Sequence, residues 1–203
     1  MSATDFLPTY DVSDAVAVTV TVDANPAETW DALMSVDLIA VGHDKPLVGM
    51  LGALRMAPEL ASHLLHGELP PPAPEHMRLL DLAAVPASEG GWVLLDERPD
   101  EALTLGLVGK FWRPVIPFAA VDRERFRHFA EPGYAKTIYE LSVRELDDGR
   151  TLLVGLMRTA TTDEHARRWF RRYWTLGVGS GAHVLVHAVL EQARESAEQV
   201  VVA

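Results

Sequence analysis

Three side chains near the C-terminus have the spacing of a metal site. His183, His187 and Glu191 recur at every fourth position, so a helix would carry them on one face, and imidazole and carboxylate are ordinary zinc ligands. The same stretch argues against that chemistry. Ala182, Leu185, Val186, Val189, Leu190, Ala193 and Ala197 form its apolar face. The histidines flank that face and Glu191 lies opposite, so the three read as a solvated edge and no metal is expected. His63 and His66 sit in an irregular stretch without a paired carboxylate and are not read as ligands. Gly177-Val178-Gly179-Ser180-Gly181 has the glycine content of a phosphate loop or a nucleophile elbow. Both devices need a preceding strand, and the G-x-S-x-G spacing is missing. The preceding residues are helical in pattern, so the glycines should break a helix and Ser180 should cap its second half.

Arg167, Arg168, Arg171 and Arg172 could meet phosphate or an acidic partner. Aromatic residues lie opposite them on a helix, which makes the arginines a solvated face, with Asp163 and Glu164 as neighbouring partners. Tyr139, Arg158 or a histidine could move a proton in a cyclase or dehydratase. No nucleophile is spaced with a base, so no catalytic residue is assigned.

The elements that would position these groups follow from periodicity. Val16, Val18, Val20 and Val22 alternate with Ala17, Thr19 and Thr21, a half-buried strand. Asn25, Pro26 and Glu28 form a helix start with a capping box, followed by Trp30, Leu33 and Met34 on one side. Residues 36–75 mix helical pieces with breaks, including the prolines at 70–72, and are expected to be the most variable part. His76–Ala84 reads as a strand. Trp92–Arg98 and Glu101–Lys110 read as strands flanking a turn at Pro99-Asp100. Asp122 could cap a short helix through Phe129. Gly133–Leu146 and Thr151–Thr161 read as a hairpin around Asp148-Gly149. From Asp163 a long helix runs to about Gln199. Its Ala166, Trp169, Phe170, Tyr173 and Trp174 share a sector that must lie on something broad and apolar. Hairpin-linked strands and segregated helices give an α+β class: a curved antiparallel sheet packed on a long C-terminal helix.

Composition sets the outer bounds. The 203 residues suffice for one self-supporting domain, taken as 15–203 behind a loosely tethered leader at 1–14. Absence of cysteine removes disulfides, thiol catalysis and thiolate metal sites. No Walker loop and no dinucleotide fingerprint follows a strand, so no cofactor is expected. A net charge of −11 disfavours nucleic acid, the arginine cluster being a local exception. The first residues lack the pattern of a signal peptide, and no apolar run has the length of a membrane span, so a cytoplasmic location is expected.

Three segments carry a family likeness: VTVDANPAETWDALMSVDL, GWVLLDERPDEALTLGLVGKFWRP, and FAEPGYAKTIYELSVRELDDGRTLLVGLMRTATTDEHARRWFRRYW. Together they resemble an uncharacterised bacterial group of the START-like, or SRPBCC, superfamily, over most of residues 15–199. The resemblance implies a helix-grip fold with an apolar cavity between sheet and C-terminal helix. Members bind lipids, sterols, polyketides or plant hormones, and some are cyclases or hydrolases. One departure is Gly155, Leu156 and Met157 before Arg158, where relatives in this group tend to be polar.

The expected function is binding of a small hydrophobic ligand in such a cavity, the alternative being a cyclase or dehydratase acting there. An interaction protein with a filled core is the third possibility. Leu105, Leu107, Trp112, Tyr139, Leu141, Met157, Trp169 and Tyr173 are the expected lining. Trp169 and Tyr173 should face the sheet, because turning the helix over would bury four arginines. Whether Arg158 points inward depends on strand parity.

Overall fold

The computed structural model describes residues 3–10, 15–44 and 74–202. After a first helical turn, α1 (Ala3–Phe6), the chain enters β1 (Val16–Val22), whose valines are buried and whose intervening residues are exposed. The capping box opens α2 (Pro26–Ser35): the Asn25 side chain accepts from the Glu28 amide at 2.9 Å, and the Glu28 carboxylate accepts from the Asn25 amide at 3.3 Å. Helix α3 (Leu38–Asp44) follows. His63, His66 and the prolines at 70–72 lie outside the described residues.

His76–Ala84, expected as a strand, is instead an extended lead into a 3₁₀ turn at Leu80–Ala83. Local bonds decide it. The Asp81 carboxylate accepts from the Arg78 amide at 2.7 Å, and the Asp81 carbonyl accepts from the Ala84 amide at 3.0 Å. An aspartate that satisfies neighbouring backbone in this way favours a turn over a ladder.

Strands β2 (Val93–Arg98) and β3 (Ala102–Gly109) form a hairpin, with Asp100 in the left-handed region. Helix α4 (Arg123–His128) is capped by Asp122, which accepts from the Arg125 amide at 2.8 Å. Strands β4 (Ala135–Glu145) and β5 (Thr151–Thr161) make the second, longer hairpin. Helix α5 (Glu164–Tyr173) continues through a π-helical bend at Trp174–Val178 into α6 (Gly179–Val202). The bend occurs where Gly177 takes φ 106°, a value that a side chain would strain. The helix begins its second half at Gly179, with Ser180 exposed in the first turn.

The five strands are antiparallel in the order β1-β5-β4-β3-β2, and the curved sheet packs on the C-terminal helix, so the class is α+β as expected. Side-chain parity divides the sheet into two faces. The inner face, under α6, collects the β1 valines, Leu103, Leu105, Tyr139, Leu141 and Leu153 against Trp30 and Leu33 of α2 and Val186, Val189, Leu190 and Ala193 of α6. Gly155 permits the close approach: a Cβ there would lie 2.6 Å from Cγ1 of Val186.

The outer face collects Leu95, Val108 and Ile138 beneath Phe126 and Phe129. Phe6 and Leu7 are buried in that same cluster, so the expected loose leader is anchored by two apolar side chains. A smaller cluster of Phe111, Ala135 and Phe170 joins the start of α5 to the end of the sheet.

Candidate functional site

Tyr139 is the centre of the candidate site. Its strand is flanked by β3 and β5, and the register aligns Leu105, Tyr139, Met157 and Val16 in one row across the sheet. All four sit on the inner face by parity, and Leu141 is two residues along the same strand and on the same side. The ring of Trp92 lies 6.3 Å from that of Tyr139, tilted by 58°. Tyr139 is 8% exposed, and its hydroxyl oxygen is buried with no hydrogen-bond partner among the described residues.

Burial pushes the phenol pKa upward, because the phenolate would lose its hydration. The group is therefore a fixed O–H donor with free acceptor capacity, held in an apolar surround. Leaving such a group unsatisfied costs roughly 1–3 kcal/mol. Charged side chains of the same two strands point away: Lys136, Glu140 and Arg158 have the opposite parity. Lys136 donates to the Arg127 carbonyl at 3.1 Å and stacks 5.1 Å above the Phe126 ring, while Arg158 lies 5.0 Å over the Tyr10 ring. Strand parity thus places Arg158 on the outer face.

The expected lining residues divide into three groups. Leu105, Tyr139, Leu141 and Met157 come together on the inner face. Leu107, Trp112 and Tyr173 pack around Phe170 and Phe111 at the end of the sheet. Trp169 does neither. It is 44% exposed, and its ring carries the Arg172 guanidinium at 5.3 Å.

The buried side of α5 is Ala166 and Phe170, the latter 2% exposed and stacked on Trp174 with ring centres 5.5 Å apart. Trp169 and Trp174 point about 140° apart on a helix. An arc that wide exceeds what a short helix can press onto one sheet, so one edge of the aromatic sector is left in solvent. The four arginines remain exposed, as expected.

Asp163 holds this helix in place. Its carboxylate accepts from the Ala166 amide at 2.7 Å and from the Gly133 amide, and these bonds depress its pKa, the Ala166 bond most. The Thr162 hydroxyl adds a reciprocal pair with the Tyr134 backbone, at 3.0 and 3.1 Å. Loop, strand and helix are therefore tied at one point.

His183 and His187 are exposed on α6. Glu191 is held by Arg194, whose Nε and second guanidinium nitrogen donate at 3.0 and 2.8 Å. Among the described residues no three His, Cys, Asp or Glu side chains are grouped closely enough to share a metal ion. No helix among them is long and apolar enough to cross a membrane.

Trp92 is the site residue that sequence reasoning missed. The signal was present: Trp92 and Leu94 share parity, and Leu94 pairs with Leu105. An open groove of about 640 Å³ runs between Val16 of β1 and the first turns of α6, with Trp174 and His183 on its walls. Val16 stands two strands from Tyr139 in the same row, a separation of about 10 Å. No family model, no curated protein and no solved structure matches this chain.

Proposed function

We propose that this chain binds a small, largely apolar, uncharged molecule over the inner face of the sheet, oriented by one hydrogen bond to Tyr139. The observation that carries the reading is the buried Tyr139 hydroxyl, without a partner among the described residues, beside Trp92, Leu105 and Met157. A polar atom held dry at a cost is worth keeping where a ligand completes it. The chemistry of the lining defines the ligand class. Lys136, Glu140 and Arg158 are turned outward, and a carboxylate buried beside Tyr139 would need a cationic partner. A ketone, ester, ether or alcohol oxygen on a hydrocarbon frame suits the site. The groove at Val16 and Trp174 opens at the other end of the row that holds Tyr139.

The START-like resemblance of the sequence points to the same class of ligand. Carriage is favoured over cyclase or dehydratase chemistry, because burial holds the Tyr139 proton in place and makes the group an orienting donor. The test is displacement of a neutral fluorescent probe, N-phenyl-1-naphthylamine, by long-chain alcohols, ketones and acids of equal length. Alcohols and ketones should compete better than the acid. Tyr139→Phe should weaken the alcohol and ketone about tenfold and leave the probe itself unchanged. Failure of the probe to bind, or an unchanged alcohol affinity in Tyr139→Phe, refutes the reading.

A further inference from the structure

A second surface is independent of the inner face. His165, Arg168, Trp169 and Arg172 project from one side of α5, away from buried Ala166 and Phe170, and all four are exposed. Leu176, four residues further at the bend, is 86% exposed, the largest exposure among the large apolar side chains of the described residues. The bend fixes it there: Leu176 and Gly177 leave helical geometry, and no part of the sheet covers them. Two apolar side chains thus stand in solvent among guanidinium groups. Arg167 pairs with Glu164 at 3.6 Å, whereas no ion pair engages Arg168, Arg171 or Arg172 among the described residues. Arg172 lies flat against the Trp169 ring instead.

We propose that this stripe docks the protein on an anionic lipid bilayer, with Arg168 and Arg172 on the headgroups and Trp169 and Leu176 in the interfacial layer. Charge complementarity selects the occupant. Guanidinium groups without an ion pair among the described residues seek phosphate or carboxylate oxygens, and a tryptophan beside cations is the composition of a membrane-surface helix. Nucleic acid would use the arginines but give Leu176 nothing to enter. The net charge of −11 opposes approach from a distance. At physiological ionic strength that field is screened beyond about 8 Å, so the cationic contact surface governs binding once it is reached.

Co-sedimentation with vesicles tests the proposal, comparing phosphatidylcholine alone with phosphatidylcholine containing phosphatidylglycerol. Wild-type protein should bind the anionic vesicles and not the neutral ones. Replacing Arg168 and Arg172 together by glutamine should weaken binding roughly twentyfold. Leu176→Ser should weaken it about tenfold through lost insertion. Both variants change exposed side chains, so thermal melts should match wild type, and both should displace N-phenyl-1-naphthylamine normally, which separates this surface from the ligand site. No binding to anionic vesicles overturns the proposal. So does binding that is indifferent to Leu176→Ser, which is adsorption by charge alone, or arginine-dependent binding to an oligonucleotide without binding to vesicles.

Discussion

The two faces of the sheet treat polar atoms differently. On the outer face, Lys136 is buried and yet satisfied: it has the Arg127 carbonyl and the Phe126 ring, and Arg158 has the Tyr10 ring. On the inner face Tyr139 is equally buried and its hydroxyl has nothing among the described residues. Covers differ as well. The outer face is closed by Phe6, Leu7 and α4, pieces that fill it side chain by side chain. The inner face is spanned by the long helix α6, which comes so close at Gly155 that a Cβ there would lie 2.6 Å from Val186. A face whose polar atoms are all matched is a structural core. A face with one donor left over is where the proposed ligand would find its hydrogen bond.

The largest effect expected from this contrast is on the outer face. Phe126 is fully buried and lies against Leu95 and Gly106, where an added Cβ would sit 2.7 Å from each side chain. Phe126→Ala should cost about 4 kcal/mol in chemical denaturation and leave alcohol binding at Tyr139 unchanged in the folded fraction. Loss of binding in that folded fraction would mean the faces are coupled and the contrast is false.

A smaller effect of opposite sign is expected on the inner face. Tyr139→Phe removes a buried hydroxyl that makes no bond among the described residues. It should therefore stabilise the unliganded chain by about 1 kcal/mol, while ligand no longer raises Tm as it does in wild type. A destabilised Tyr139→Phe would show that the hydroxyl is already satisfied, and the two faces would then be alike.

Much of the division was legible in the sequence, because parity is local. The alternation in β1, the span Thr151–Thr161 and the face shared by Tyr139 and Leu141 all follow from period two. The caps at Asn25 and Asp122 were legible for the same reason: each serves the amide three residues on. Local signals failed where a distant surface decides. The direction of α5 depends on how Phe170 seats against Phe111 and Ala135, so Trp169 could not be placed from its own helix. His76–Ala84 had apolar residues enough for a strand, but Asp81 closes a turn there. That Tyr139, Leu105 and Met157 belong together was readable, and they share the inner face, whereas the missing partner of the hydroxyl was not, since that is a property of several elements packed together.

The smallest effect concerns how the inner face is closed at its edge, and it separates by pH. Leu79 is buried in the inner core, and the chain leading to it is fastened to the start of α3 through Asp37. The Asp37 carboxylate is bonded to Nδ1 of His76 at 2.6 Å and accepts from the Met77 and Ile39 amides at 3.1 and 2.9 Å. These bonds, His76 first, hold its pKa at about 2. An unfolded aspartate titrates near 3.9, so the folded state binds this proton less tightly than the unfolded state. The sign follows from linkage: the stabilisation is complete above the ordinary aspartate range and is lost as pH falls toward 2. The group is solvent-accessible, so screening keeps the effect modest. Asp37→Asn should lower Tm slightly at pH 6, and the difference from wild type should shrink as pH falls toward 2, where about half of the wild-type carboxyl is itself protonated. The outer-face variant Phe126→Ala provides the contrast, because its deficit comes from a cavity and should persist across the same range. An Asp37→Asn deficit that is undiminished at pH 2 would assign the residue to packing, and the fastening of the inner face would then be apolar.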